Sequence, residues 1–388
     1  MDASSTGRDG LSGFDRAMLE RARGLRLGGR GRAHPNPMVG CVLARDGRAI
    51  ATGWHAEYGG AHAEVAALRN AGDEARGATA YVSLEPCAHF GQTPPCTEAL
   101  VDAGIARVVY GAADPGGESG GGGAALAEAG IEVLGPCLTS HEALADNPAF
   151  FHRARTGRPY VAAKLAMSLD GRIARRAGER STVTGPEAHA EVHRLRADHD
   201  AIVVGGRTAL VDDPLLTVRG DASPRTPPIR VVLDPAAELG LDSRLVGTVD
   251  EAPVWLFCGE TVSEARIEAF ERAGVSVHPV PAEGDELDLD IVIGRCADLG
   301  VTSLLCEGGG RLVSGLLHAG LLDRLYLFVA PRVLGSDGVP AFPAEWPRGG
   351  PGPAAASDWT GVTDPVRFGD DMLAVWDRLG TPPDREED

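Results

Sequence analysis

Between positions 62 and 96 the sequence reads "HAEVAALRNAGDEARGATAYVSLEPCAHFGQTPPC", which places His62, Glu64, Cys87 and Cys96 within 35 residues. This stretch constrains the fold more than any other. A hydrolytic zinc centre needs three protein ligands, usually His and Cys, and one open position for water. His62, Cys87 and Cys96 supply such a set, so an adjacent helix, strand and helix must return all three to one point. Residues two apart point to different sides of a helix, so His62 and Glu64 suit one ligand and one proton carrier rather than two ligands. Cys96 opens the predicted helix "CTEAL", where free backbone N–H groups and the helix dipole favour a thiolate.

The tetrapeptide "HAEV" recurs at His189 to Val192. No cysteine lies between His189 and Cys258, so the second copy reads as a solvated helix face. Residues flanking the two copies do not match, which argues against a duplicated domain. Seven cysteines, scattered and odd in number over 388 residues, read as reduced thiols rather than a disulfide framework.

Around this stretch, strands alternate with helices as in a layered α/β domain. A helix is expected over "FDRAMLERARGL", then a hairpin of "GCVLA" and "RAIATGW" about the turn "RDG". The tract "DPGGESGGGG" is either a ligand loop at the carboxyl end of a strand or a plain solvent loop. A second α/β series starts at "YVAAKLAMS", so the boundary is expected near residue 155, with one domain over residues 13–150 and another over residues 156–380. In the second, "TSLLCEGGGRLVSGLL" reads strand, glycine turn, helix; it fits a phosphate at a helix N-terminus or a simple tight turn. No G-x-G-x-x-G follows a strand. Residues 1–12 and the tail "GTPPDREED" read as disordered.

The balance of 37 Lys+Arg against 55 Asp+Glu gives a net charge of −18, which repels phosphate backbones and anionic membranes. Neither a nucleic-acid nor a membrane partner is expected. The polar N-terminus lacks the apolar core of a signal peptide, and the chain is read as soluble and cytoplasmic. A homo-oligomer is compatible with the sequence, which does not fix the assembly.

The segments "HPNPMVGCVL", "GWHAEYGGAHAEVAAL", "GATAYVSLEPCAHFGQTPPC" and "AGIARVVYGAADP" resemble the deaminase half of the bifunctional riboflavin-biosynthesis enzymes. These join diaminohydroxyphosphoribosylaminopyrimidine deaminase to 5-amino-6-(5-phosphoribosylamino)uracil reductase. "KLAMSLDGRIA", "DAIVVGGRTALVDDPLLTVR" and "CEGGGRLVSGLLHAGLL" resemble the reductase half. The eight residues between Cys87 and Cys96 suit this family better than polynucleotide deaminases, whose spacing is two. The resemblance implies a cytidine-deaminase-like α/β/α domain followed by a dihydrofolate-reductase-like α/β domain.

It also implies zinc on His62, Cys87 and Cys96, and a proton shuttle at Glu64. Asn36 and His55 would meet a phosphoribosylated pyrimidine, although "HPNP" also fits a stiff turn. In the reductase half NADPH would meet Ala166, Thr182, Thr208, Asp212, Leu215 and Gly308, Gly309 and Gly310. Arg196, Arg219 and Glu307 would face the substrate, the arginines suiting a ribose phosphate or ordinary ion pairs. Four positions depart from the family pattern: Gln92 for a basic residue, Gly116 for Asn, Arg180 for Ser and Thr182 for Trp. They leave a second reading open, a deaminase of a related pyrimidine with altered or lost reductase activity.

Overall fold

The computed structural model describes residues 8–91, 94–117, 119–343 and 359–378. The expected disordered ends, residues 1–7 and the tail from 379, lie outside these, as does Gln92. The chain forms two compact units on either side of Gly157 and Arg158.

In the first unit the helix α1 (Gly13–Leu25) leads into strands β1 (Gly40–Arg45) and β2 (Arg48–Trp54). Asp46 and Gly47 both have positive φ, the two-residue turn whose twist matches a hairpin. Helix α2 (Ala63–Ala71), β3 (Thr79–Leu84), α3 (Cys96–Asp102), β4 (Arg107–Ala112), α4 (Gly122–Glu128) and β5 (Glu132–Leu134) follow. Helices α5 (Ser140–Asp146) and α6 (Pro148–Thr156) close the unit. The sheet runs β2-β1-β3-β4-β5, with β3, β4 and β5 parallel.

Neighbouring strand residues point to opposite faces and so serve two cores. Val42, Tyr81 and Val109 pack with Leu19 and Ala22 of α1. Leu43, Val82 and Val108 pack with Ala67, Leu100 and Leu126 of α2, α3 and α4. Residues 8–12 differ from the sequence expectation of disorder. Leu11 is buried in the α1 core, and the Ser12 hydroxyl accepts from the Asp15 N–H to cap α1. One apolar residue, a capping box and the Arg8–Glu142 ion pair tie down this short lead.

The second unit begins with β6 (Tyr160–Ser168), β7 (Arg172–Ala174), α7 (Pro186–Ala197), β8 (Ala201–Gly205), α8 (Gly206–Asp212) and β9 (Ile229–Leu233). Then come β10 (Val254–Gly259), α9 (Glu264–Arg272), β11 (Ser276–Val280), the short β12 (Ala282–Glu283) and β13 (Glu286–Leu287), and α10 (Leu289–Asp298). Strand β14 (Ser303–Cys306), α11 (Gly310–His318), β15 (Arg324–Ala330) and the short β16 (Val339–Pro340) lead to β17 (Trp359–Gly361), β18 (Val366–Phe368) and β19 (Asp371–Arg378).

The main sheet runs β11-β10-β9-β8-β14-β6-β15-β19-β17, with β18 beside β19. The strands from β11 to β15 are parallel and β19 is antiparallel. One face packs on α10 and α11 through Val292, Ile293, Val313 and Leu316, the other on α9 through Phe270. Parallel strands put their carboxyl ends, and the turns that follow, at one edge of the sheet. Glu307 and Gly308 to Gly310 follow β14 at that edge.

Among the described residues, no helix is long and apolar enough to cross a membrane.

Candidate metal centre and reductase cavity

Helix α2 begins one residue later than its sequence pattern suggests. His62 is the N-cap with extended backbone (φ −67°, ψ 162°), and its carbonyl accepts from the Ala66 N–H at 2.9 Å. The imidazole is thereby released from the helix face and turned toward α3, while Glu64, in the first turn, is buried at 3% exposure. Cys96 is the first residue of α3, and its N–H donates to the Cys87 Sγ at 3.4 Å. His62 Nδ1 lies 3.2 Å from Cys96 Sγ and 3.5 Å from Cys87 Sγ.

A zinc tetrahedron with Zn–S near 2.3 Å and Zn–N of about 2.0–2.1 Å spaces its donor atoms roughly 3.5 Å apart. The trio fits that figure, and it is the single group of this kind among the described residues. Its electrostatics point the same way. The Cys87 thiol is pulled down, first by its hydrogen bond with Cys96 and then, against burial, by His62; the Cys96 thiol is pushed up by the same contact and by burial. Two adjacent sulfurs oppose each other's charge, and a divalent cation between them would let both carry it. Burial pushes the Glu64 carboxyl up, with His62 pulling it back.

Asn36 and His55 adjoin the trio. Asn36 Nδ2 is 3.2 Å from His55 Nε2, and the His55 ring meets the His62 ring edge-on at 5.3 Å. Burial lowers the His55 pKa. Asn147, between α5 and α6, grips Met38 by both backbone groups (2.7 and 3.1 Å) and so fixes the "HPNP" segment.

The glycine tract is tied down. The buried Glu85 carboxylate accepts from the Asp114 N–H at 3.0 Å and from the Gly123 N–H at 2.9 Å, closing the loop at both ends. A Cβ on Gly122 would lie 1.7 Å from the Pro86 carbonyl, so the loop backbone touches the segment that carries Cys87. At the departure from the family pattern, a Cβ on Gly116 would meet Ser119 Oγ at 2.1 Å. Ser119 donates to Asp114 Oδ1 at 2.8 Å, so this loop has its own closure, and an Asn at 116 would displace the Ser119 hydroxyl that makes it.

In the second unit a cavity of about 1540 Å³ opens at the carboxyl edge of the parallel strands. Ala166, Thr182, Thr208, Asp212, Arg196, Arg219, Glu307 and Gly308, Gly309 and Gly310 all line it. Leu215 does not; its neighbours Pro214 and Leu216 do, and its carbonyl accepts from the buried Arg230 Nη1 at 3.2 Å. Within the glycine turn the three residues are not equivalent. A Cβ on Gly310 would strike the Ala341 carbonyl at 2.4 Å, whereas one on Gly309 would meet nothing nearer than Thr208 Oγ1 at 3.8 Å. Packing inside the protein requires Gly310; Gly309 alone leaves open space before its backbone.

Arg196 is engaged more fully than a pattern of residues could reveal. It donates to both oxygens of Glu307 and, through Nη1, to the Thr217 carbonyl at 3.0 Å. Arg219 is exposed, with its backbone N–H on His193 Nδ1 at 3.2 Å. Thr182 and Arg180 are exposed on the cavity rim. Burial raises the Asp212 carboxyl, and Arg180 and Lys164 pull it back. His189 of the second "HAEV" also lines this cavity.

Two residues escaped the sequence reading. Glu85 had no signal of its own beyond its place before "PC". Lys164 had one: it is the only lysine among 388 residues, and it interrupts an apolar strand. Its Nζ lies 3.6 Å from Glu307 Oε2.

The site and fold define a zinc-dependent deaminase domain joined to a nucleotide-dependent reductase domain. The cytidine and deoxycytidylate deaminase zinc-binding region matches residues 14–112, and the RibD C-terminal domain matches residues 159–349. The riboflavin biosynthesis protein RibD of Actinobacillus pleuropneumoniae is 39% identical over 337 residues, spanning 86% of this chain and 87% of that protein. That of Escherichia coli is 41% identical over 330 residues, spanning 81% and 88%. A solved structure of Acinetobacter baumannii RibD superposes with TM-score 0.79 at 33% identity, covering 94% of this chain and 99% of that one. A diaminohydroxyphosphoribosylaminopyrimidine deaminase/5-amino-6-(5-phosphoribosylamino)uracil reductase from Thermotoga maritima gives 0.78 at 29%, with the same coverage. The chain belongs to the RibD family of riboflavin biosynthesis proteins.

Proposed function

We propose that this chain performs two consecutive steps of riboflavin synthesis. The first unit hydrolytically deaminates 2,5-diamino-6-(5-phosphoribosylamino)pyrimidin-4-one. The second reduces the ribosyl group of the product to ribityl with NADPH. The meeting of His62, Cys87 and Cys96 beside buried Glu64 is the observation that carries the reading. Nothing in the relatives favours a deaminase that has lost its reductase activity.

Bound to the trio, zinc supplies the Lewis acidity that makes water a nucleophile at neutral pH. Glu64 moves the protons. A carboxyl raised by burial is basic enough to take one from water and acidic enough to release it to the departing ammonia. Asn36, fixed through Met38 and His55, orients the pyrimidine. In the second unit the nicotinamide provides the hydride and the protein holds the sugar against it. Burial pushes the Glu307 carboxyl up, but Arg196 and Lys164 outweigh it and hold it at about 2. It therefore faces the cavity ionised. Gly309 and Thr208 offer polar backbone and hydroxyl groups where a cofactor phosphate can approach.

The test is direct. The purified chain is given the diaminopyrimidine phosphoriboside with and without NADPH, and products are followed by mass spectrometry. Deaminated product alone without NADPH, and its ribityl form with NADPH, is the expected outcome. Ammonia release with no NADPH oxidation overturns the bifunctional reading.

A further inference from the structure

His55 invites assignment as a substrate contact, yet its polar atoms are committed within the protein. Its backbone N–H donates to the Val39 carbonyl at 2.9 Å, and its ring is buried at 2% exposure. Nδ1 lies 3.0 Å from the Ala61 carbonyl, which can only accept, so Nδ1 carries the proton. In the neutral ring Nε2 is then an acceptor, and the Asn36 group facing it at 3.2 Å must be the amide NH2. The Asn36 Oδ1 is left as the end that can accept from another molecule.

We propose that His55 is a positioning residue, not a substrate ligand: it sets the Asn36 amide so that its oxygen faces the pyrimidine and selects a ring presenting an N–H or NH2 donor there. This rests on Asn36 meeting the pyrimidine, as in the deamination reading above. An unanchored amide would turn freely and offer donor and acceptor alike. With His55 in place, a ring bearing an acceptor at that point meets the oxygen and is rejected.

A double-mutant cycle tests this on the zinc-loaded, full-length chain, with deamination kcat/KM and zinc per chain as readouts. Asn36→Ala is expected to lower kcat/KM by about tenfold or more. His55→Ala is expected to do the same, mainly through KM, with zinc near one per chain, and to add little in the Asn36→Ala background. Equal losses from His55→Ala in both backgrounds would overturn the positioning role while leaving the Asn36 reading intact. An Asn36→Ala enzyme with unchanged deamination would overturn that reading and the inference with it.

A conservative pair covers the case in which His55→Ala does not fold. Glutamine can place an acceptor where Nε2 lies, whereas asparagine retains only the donor toward Ala61. His55→Gln should keep activity within about fivefold of the parent and His55→Asn should lose about tenfold. Equal activity of the two contradicts the inference.

Discussion

The Arg196 guanidinium takes the Glu307 carboxylate side-on, Nε donating to Oε1 and Nη2 to Oε2, the latter at 3.1 Å. Lys164 approaches the same carboxylate from β6, so one buried anion answers two cations, one from β6 and one from α7. Glu307→Gln removes that anion and leaves both cations facing a neutral amide. NADPH oxidation should fall at least about 10²-fold while ammonia release is unchanged. Stability should drop by about 3–5 kcal/mol, the usual cost of breaking a buried pair. Parallel assays and thermal unfolding of parent and variant check both.

The same pair carries a pH signature. The folded Glu307 carboxyl is held at about 2, below an unfolded carboxyl near 4.3, so it stabilises the fold fully above the unfolded value. That contribution is lost as pH falls from about 5 through 2. The stability gap between parent and Glu307→Gln should therefore be flat from pH 7 to 5 and shrink below it, as denaturant unfolding at each pH would record. A constant gap down to pH 3 counts against the ionised pair.

Glu64→Gln should retain zinc, because the trio does not include this carboxylate, and should lose deamination by about 10²–10⁴-fold. Metal analysis beside an ammonia assay separates the two effects. Full activity in the variant would remove Glu64 from the proton path.

His189→Ala should leave zinc content and deamination untouched, since this second "HAEV" histidine lines the cavity of the other unit. Loss of metal in that variant would contradict the placement of the centre.

Gly122→Ala drives a methyl group into the Pro86 carbonyl. Overpacking of this kind costs about 1–3 kcal/mol, and here it displaces the segment bearing Cys87. Zinc affinity and deamination should fall together, with NADPH oxidation by the second unit unaffected; zinc titration and the two assays give the comparison.

The metal trio was legible because its members lie in one short stretch whose spacing carries the chemistry. Only local detail was missing: His62 caps α2 instead of riding on its face, and that rotates its imidazole toward Cys96. The cavity residues were harder to read. Arg196 looks like a free phosphate binder until α7 is set against the end of β14 and brings Glu307 to it, a meeting across 111 residues that no local pattern encodes. Leu215 belongs to a segment whose alternate residues face the cavity, and its own carbonyl turns toward Arg230. The antiparallel β19 also went unread, since in "DMLAVWDR" Asp371 and Asp377 are buried while Met372 and Trp376 face outward, so hydrophobicity does not mark the buried face of the strand that pairs with β15. Lys164 had the plainest signal, a lone lysine in a chain that otherwise uses arginine.

X-ray absorption at the zinc edge of the purified native chain tests the central claim most directly. One zinc per chain is expected, with two sulfur neighbours at about 2.3 Å and lighter donors at about 2.0–2.1 Å. Protein without stoichiometric zinc, or with a zinc shell that holds no sulfur, would contradict the centre formed by His62, Cys87 and Cys96.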